Sequence, residues 1–109
     1  MDSKTSIVIL NWNGSNMLKK FLPSVLACSA NAEVVVADNA STDGSLDLLR
    51  SSFPEVRLIV LDRNYGFAEG YNKALEQVKA QYYVLLNSDV EVGEGWLQPL
   101  VAFLDKHAD

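Results

Sequence analysis

The stretch VVVADNASTDGS, residues 34–45, passes from four apolar residues straight into Asp38-Asn39-Ala40-Ser41-Thr42-Asp43-Gly44-Ser45. Consecutive apolar residues without alternation suit a strand whose sheet is covered by helices on both faces. The change after Ala37 then marks where that strand leaves the sheet. Nearly every residue beyond it carries a short hydrogen-bonding side chain. The fold depends on whether the rest of the chain repeats this pattern.

The pattern occurs four times in all. Ser6 to Leu10 reads as a first strand. Met17, Leu18, Phe21, Leu22, Val25 and Leu26 then recur at helical spacing, the apolar stripe of a helix lying on a sheet. Pro23 falls inside that stripe and is expected to kink or loosen one turn. Glu33 to Ala37 is the second strand. Leu46, Leu49 and Phe53 mark a second helix, which Pro54 stops. Val56 to Leu61 is a third strand, and its Arg57 suggests a place near a sheet edge. Phe67, Tyr71, Ala74, Leu75 and Val78 form a third helical stripe. Tyr82 to Leu86 is the fourth strand, and Trp96, Leu97, Leu100, Val101 and Leu104 follow as a last helix after Gly93-Glu94-Gly95. Four βα units in succession predict an α/β fold: a Rossmann-like, mostly parallel sheet of about four strands with helices on both faces. All four strands then end on one rim, where open α/β sheets bind their ligands.

Composition narrows the class of ligand. The 109 residues are 49% hydrophobic and 21% charged, as in a folded domain. Nine basic and fourteen acidic residues leave a net charge of −5, with no basic stripe, so nucleic acid is a poor partner. An anionic ligand would have to be neutralised by a metal ion or by helix N-termini. No apolar run reaches membrane-spanning length. Met1-Asp2-Ser3-Lys4 carries an acid and leads into no signal-peptide core, and the single cysteine, Cys28, reads as a thiol on an apolar helix face. Together these point to the cytoplasm.

The rim loops carry the chemistry. Ser41 or Thr42-Asp43 can cap the second helix by accepting its free amide hydrogens. Asp38, several residues earlier, either closes a turn or offers its carboxylate to the ring N–H of a pyrimidine. In Asn87-Ser88-Asp89-Val90-Glu91 the amide and two carboxylates alternate, so in an extended chain they share one face, as metal and diphosphate ligation requires. Trp12, between two asparagines, either stacks on a base or folds over the core. No G-x-G-x-x-G follows the first strand and no G-x-x-x-x-G-K-[ST] exists, which argues against NAD-type and P-loop sites.

Four segments, "SIVILNWNG", "VVVADNASTDGS", "NYGFAEGYNKAL" and "YYVLLNSDVEV", stand in an order and spacing that resembles inverting family 2 glycosyltransferases. The chain is similar to the N-terminal, sugar-nucleotide-binding half of the GT-A fold, in a rhamnosyltransferase-like bacterial branch. That resemblance implies a role for each matching position. Leu10 (through its backbone) and Trp12 match the loop that holds the base. Asp38, with Asn39 beside it, matches the acid that reads the base edge, so its removal should weaken nucleotide binding by about 1–3 kcal/mol while stability barely changes. Asn64, Gly66 and Asn72 match the loop and helix start that approach the nucleotide. Asn87-Ser88-Asp89 matches the DxD motif, with Asp89 as ligand to Mg2+ or Mn2+. Asn87 replaces the first carboxylate of that motif, and Glu91 stands close enough in sequence to compensate.

The implied donor is a UDP- or dTDP-sugar, and the implied acceptor a glycan or a lipid-linked glycan. The acceptor half and its catalytic base are expected outside these residues, so no catalytic residue is assigned within residues 1–109. The full-length enzyme would work in the cytoplasm, peripheral to the inner face of the membrane. The isolated stretch is expected to self-associate through its fourth strand or last helix. Two other classes compete: a non-catalytic nucleotide-sugar-binding module, and a sugar nucleotidyltransferase-like domain. Against the second, "NWNGSNMLKK" lacks that family's glycine-rich loop with arginine.

Overall fold

The computed structural model describes residues 5–29 and 32–107 (of His107 the backbone only), so the reading of Met1-Asp2-Ser3-Lys4 lies outside the described residues. Strands and helices alternate: β1 (Thr5–Asn11), α1 (Ser15–Cys28), β2 (Ala32–Asp38), α2 (Ser45–Ser52), β3 (Arg57–Val60), α3 (Phe67–Leu75), β4 (Tyr82–Asn87) and α4 (Gln98–His107). The sheet is parallel throughout, in the order β3-β2-β1-β4. Arg57 does mark an edge strand, where it donates to the Gln77 carbonyl and lies 3.6 Å from Glu33.

Alternation along each strand sorts the core into two layers. Ile7, Ile9, Val34 and Val36 face Leu18, Leu22, Val25 and Leu49, so α1 and α2 cover one side together with Leu97. Val8, Val35, Ala37 and Ile59 face Tyr71 and Ala74, so α3 covers the other. Burying each of these aliphatic side chains is worth about 1.5–3 kcal/mol, and both layers depend on it.

Four expectations need correction. Helix α1 runs unbroken through Pro23, whose ring lies on the exposed side. Phe67 belongs to the third helical stripe but is 67% exposed, because it opens α3 at the rim and lines a cleft there. Val78 is buried, but beyond the end of α3. Trp96 and Leu97 precede α4. They pack against the α1 layer, with the Trp96 ring N–H donating to Ser29 Oγ at 2.9 Å, and so do not offer a free face.

The strand order has a further consequence. Among the described residues β4 pairs only with β1, and its side chains facing the α3 layer, Tyr83 and Leu85, are 41% and 50% exposed. An open edge beside exposed apolar side chains recruits other chains. Light scattering of the 109-residue chain at micromolar concentration should therefore detect dimers or larger species, and Leu85→Lys should return it to monomer. A parent chain that stays monomeric across that range would contradict this.

Candidate functional site

The chain runs from β1 outward to β2 and β3, then returns to place β4 on the far side of β1. The direction of winding reverses between β1 and β4, and open α/β sheets form their ligand crevice at such a point. A cleft of about 560 Å³ lies there. Leu10, Trp12, Asn13 and Gly14 line it from the end of β1, and Asn87, Ser88 and Asp89 from the end of β4. Asn39, Asn64, Gly66 and Phe67 close it from the α3 side, and Met17 from α1.

Of the ten residues expected at the site, eight therefore meet in one cleft: Leu10, Trp12, Asn39, Asn64, Gly66, Asn87, Ser88 and Asp89. Asp38 and Asn72 are not on its wall. Asn72 is exposed on α3. Asp38 is wholly buried beneath the rim. One of its oxygens accepts from Asn11 Nδ2 at 3.0 Å and from Ser41 Oγ at 2.7 Å, and the other accepts from the Ser41 amide at 2.9 Å. Asp38 thus closes a turn.

Asn39 sits between the loops. Its amide nitrogen donates to Asn64 Oδ1 at 3.1 Å and to the Gly66 carbonyl at 3.0 Å, and its oxygen accepts from the Tyr65 amide at 2.9 Å. It fixes the β3–α3 loop against the end of β2. Gly66 completes that loop at φ 78°, ψ −169°, a backbone region open essentially to glycine alone.

The polar residues after β2 act mainly as a brace. Asn13, at φ 52°, accepts from the Thr42 and Asp43 amides at 2.7 and 3.1 Å, and its own amide donates to Ser41 Oγ at 2.9 Å. Asp43 accepts from the Ser45 amide at 2.9 Å and the Ser15 amide at 3.2 Å, so one carboxylate holds the first residues of α2 and α1 together. The slight burial of Asp43 pushes its carboxyl up, but the bonds from Ser45 and Ser15 outweigh it and hold the group below the usual aspartate value. Ser41, expected as a helix cap, serves Asp38 and Asn13 instead. The loop that presents Trp12 is riveted to the loop that follows β2.

Gly14 shows how tight that joint is. A Cβ there would lie 2.5 Å from Asn11 Oδ1 and 3.5 Å from Ser88 Oγ, so only glycine lets β1 turn into α1 at this point. Asn11 Oδ1 is itself buried without a hydrogen-bond partner.

Chemically, the cleft pairs exposed apolar surface with neutral polar groups. Trp12, Met17 and Phe67 are 55%, 44% and 67% exposed there. Met17 and Phe67 were not expected at the site, since each fits the apolar stripe of its helix; their place in a first turn, next to a rim loop, is the signal that separates them. Asp89 is the only ionisable residue on the wall, which has no lysine or arginine among the described residues. Helices α1 and α3 both start at the cleft, at Gly14 and Gly66, and neither cap residue makes a side-chain hydrogen bond to its helix. No three His, Cys, Asp or Glu side chains among the described residues gather into a metal cluster. A hard divalent ion can nevertheless be held by one carboxylate when phosphate oxygens supply further ligands. The donor set of Asp89, Ser88 and Asn87 is all oxygen and fits such an ion.

Known proteins are similar to this chain in sequence and fold. The chain is 27% identical over 107 residues to an N-acetylglucosaminyl-diphospho-decaprenol L-rhamnosyltransferase of Mycobacterium tuberculosis, covering 87% of this chain and 35% of that protein. The crystal structure of S. aureus TarS 1-349 in complex with UDP superposes with a TM-score of 0.80 at 27% identity, over 95% of this chain and 32% of that one. The mannosyltransferase PcManGT from Pyrobaculum calidifontis, solved with GDP-Man and Mn2+, has the same fold: TM-score 0.81 at 23% identity, covering all of this chain and 33% of its own. The chain spans about two fifths or less of the curated relatives it matches. Among the described residues no helix is long and apolar enough to cross a membrane. The pattern of Glycosyl transferase family 2 matches residues 6–109, and the chain belongs to that family.

Proposed function

We propose that this chain is the donor-binding half of an inverting glycosyltransferase, holding a nucleoside-diphosphate sugar with a divalent cation in the cleft between β1 and β4. The observation that carries the reading is the division of the cleft wall. Exposed aromatic surface, Trp12 and Phe67, suits a base or a sugar ring, while Asn87, Ser88 and Asp89 and the start of α3 suit a diphosphate and its counter-ion. The TarS complex with UDP, on the same fold, supports a uridine nucleotide as the first candidate.

The residues divide the work. Trp12 offers a face on which a base can stack. Asn39 and Gly66 keep the β3–α3 loop in place, and the free amides of the first turn of α3 attract phosphate oxygens. Asp89, with Ser88 and Asn87 beside it, would hold Mg2+ or Mn2+, which when bound offsets negative charge on the leaving diphosphate. In the transfer an acceptor hydroxyl attacks the anomeric carbon, the bond to the diphosphate oxygen breaks, and configuration inverts. With Asp89 engaged at the ion, no other carboxylate on the described cleft wall can take the hydroxyl proton. The base therefore belongs to the acceptor half of the longer protein, as does recognition of a glycan or lipid-linked acceptor. A nucleotide-sugar donor supports work on the cytoplasmic side.

Calorimetric titration of UDP, dTDP and GDP in the presence of Mn2+ tests the reading. One or more should bind saturably, and Trp12→Ala should weaken that binding by about 1–3 kcal/mol, the usual worth of a base stacked on an aromatic ring. Absence of binding by all three, or equal affinity after Trp12→Ala, would overturn it.

A further inference from the structure

We propose that Tyr71 is a positioning residue whose hydroxyl sets the spacing between the β1 and β4 sides of the cleft, and thereby aligns the phosphate-facing loop Asn87–Asp89 with the base-facing loop. The proposal rests on the donor reading above for which ligand part lies on which side.

Tyr71 lies on the buried face of α3, 4% exposed. Its hydroxyl donates to the Leu86 carbonyl at 2.9 Å and accepts from the Leu10 amide at 3.4 Å. Leu10 pairs with Asn87 in the β1–β4 register, so the hydroxyl bridges the last rung before both strands open into the cleft loops. That rung lies at the reversal of the sheet, where the crevice forms. Among the described residues β4 has no strand on its outer side, so its alignment at this end depends on β1 and on this bridge.

Two further features fit a positioning role. The Phe67 ring packs edge-on against the Tyr71 ring, with centroids 5.1 Å apart and planes at 77°. Phe67 lines the cleft, so a ligand resting on it is one ring away from the bridge. Burial pushes the Tyr71 phenol up, opposed by the Leu10 amide, so the hydroxyl stays protonated at neutral pH and keeps donating to Leu86. At Gly70 a Cβ would lie 3.0 Å from a Leu10 methyl and 3.1 Å from Asn39 Nδ2, so α3 packs closely on the end of β1 where the hydroxyl spans both strands, and glycine favours that approach.

Tyr71→Phe removes both hydrogen bonds and keeps the ring, its burial and its contact with Phe67. UDP with Mn2+, and uridine alone, should be titrated into the parent chain and the variant. Affinity for UDP should fall roughly three- to tenfold, as for the loss of one net hydrogen bond, while uridine binds both proteins equally. Amide hydrogen exchange without ligand supplies the second reading. Asn87, Ser88 and Asp89 should exchange faster in the variant, while Leu22 and Val25 of α1 keep the parent rate. Equal loss for UDP and uridine, uniform acceleration of exchange, or unchanged exchange at residues 87–89 would each overturn the proposal. If the parent chain binds neither UDP nor uridine, the donor reading fails, and the exchange comparison still decides whether Tyr71 positions β4.

Discussion

With EDTA in place of Mn2+, affinity for UDP is expected to fall at least about a hundredfold, a loss of roughly 2.8 kcal/mol. The chain carries a net charge of −5, and the only ionisable residue on the described cleft wall is Asp89. A diphosphate brings several negative charges to that wall. At about 4 Å, and at the effective dielectric of a protein surface, one pair of like charges already costs about 4 kcal/mol. The first-turn amides of α3 offset part of this, at about 0.3–1 kcal/mol, whereas the start of α1 already holds the Asp43 carboxylate at its Ser15 amide. Without a cation the balance stays unfavourable. Uridine, which has no phosphate, should bind equally with and without EDTA. That control separates loss of the counter-ion from damage to the cleft. Asp89→Asn should make UDP affinity nearly independent of Mn2+ and leave uridine alone, since the amide keeps the shape but loses both the anionic ligand for the ion and the like charge facing the diphosphate. Equal UDP affinity in EDTA would mean that the start of α3 neutralises the diphosphate unaided.

The sheet was legible because its two central strands are buried on both faces. Val34 to Ala37 and Ser6 to Leu10 have no polar alternation, and only a parallel sheet between helices accounts for that. Arg57 located an edge correctly, since a guanidinium cannot sit between two covered strands. The rim loops were legible as a group, because polar residues gather just past each apolar run. Individual roles were less so. Along β2, Val34 and Val36 face the α1 layer and Val35 and Ala37 the α3 layer. By that alternation Asp38 turns toward Asn11 and Ser41, and Asn39 toward Asn64 and Gly66. Sequence shows both residues at the strand end; only the three-dimensional pairing with the β1–α1 and β3–α3 loops separates their partners. Met17 and Phe67 were hidden for a related reason. Helical periodicity gives the face of a residue but not whether its turn still lies over the sheet.

Removing the Asp38 carboxylate should then act first on the fold. Asp38→Ala is expected to lower stability by about 2–4 kcal/mol, the reverse of what a base-reading acid would show. The carboxylate is wholly buried and accepts three hydrogen bonds, from Asn11 Nδ2, Ser41 Oγ and the Ser41 amide. Alanine leaves the Ser41 amide without this acceptor. It leaves Asn11 Nδ2 only the 3.4 Å contact to Ser41 Oγ, on a side chain whose oxygen is already unpartnered. Each buried group left unsatisfied costs about 1–3 kcal/mol, and the relief of no longer burying a carboxylate offsets part of the sum. For a domain of this size the melting temperature should drop by roughly 10–20 °C. Asp38→Asn keeps the shape and one acceptor oxygen but turns an amide donor toward the donors of Ser41, so its loss should be smaller than that of alanine. Nucleotide affinity should fall only as far as the Trp12 loop loosens, because Ser41 also holds the Asn13 amide. Thermal denaturation followed by circular dichroism, paired with UDP titration below the transition, measures both. A melting temperature within a degree or two of the parent, together with a lost UDP signal, would return Asp38 to the ligand and sink the structural assignment.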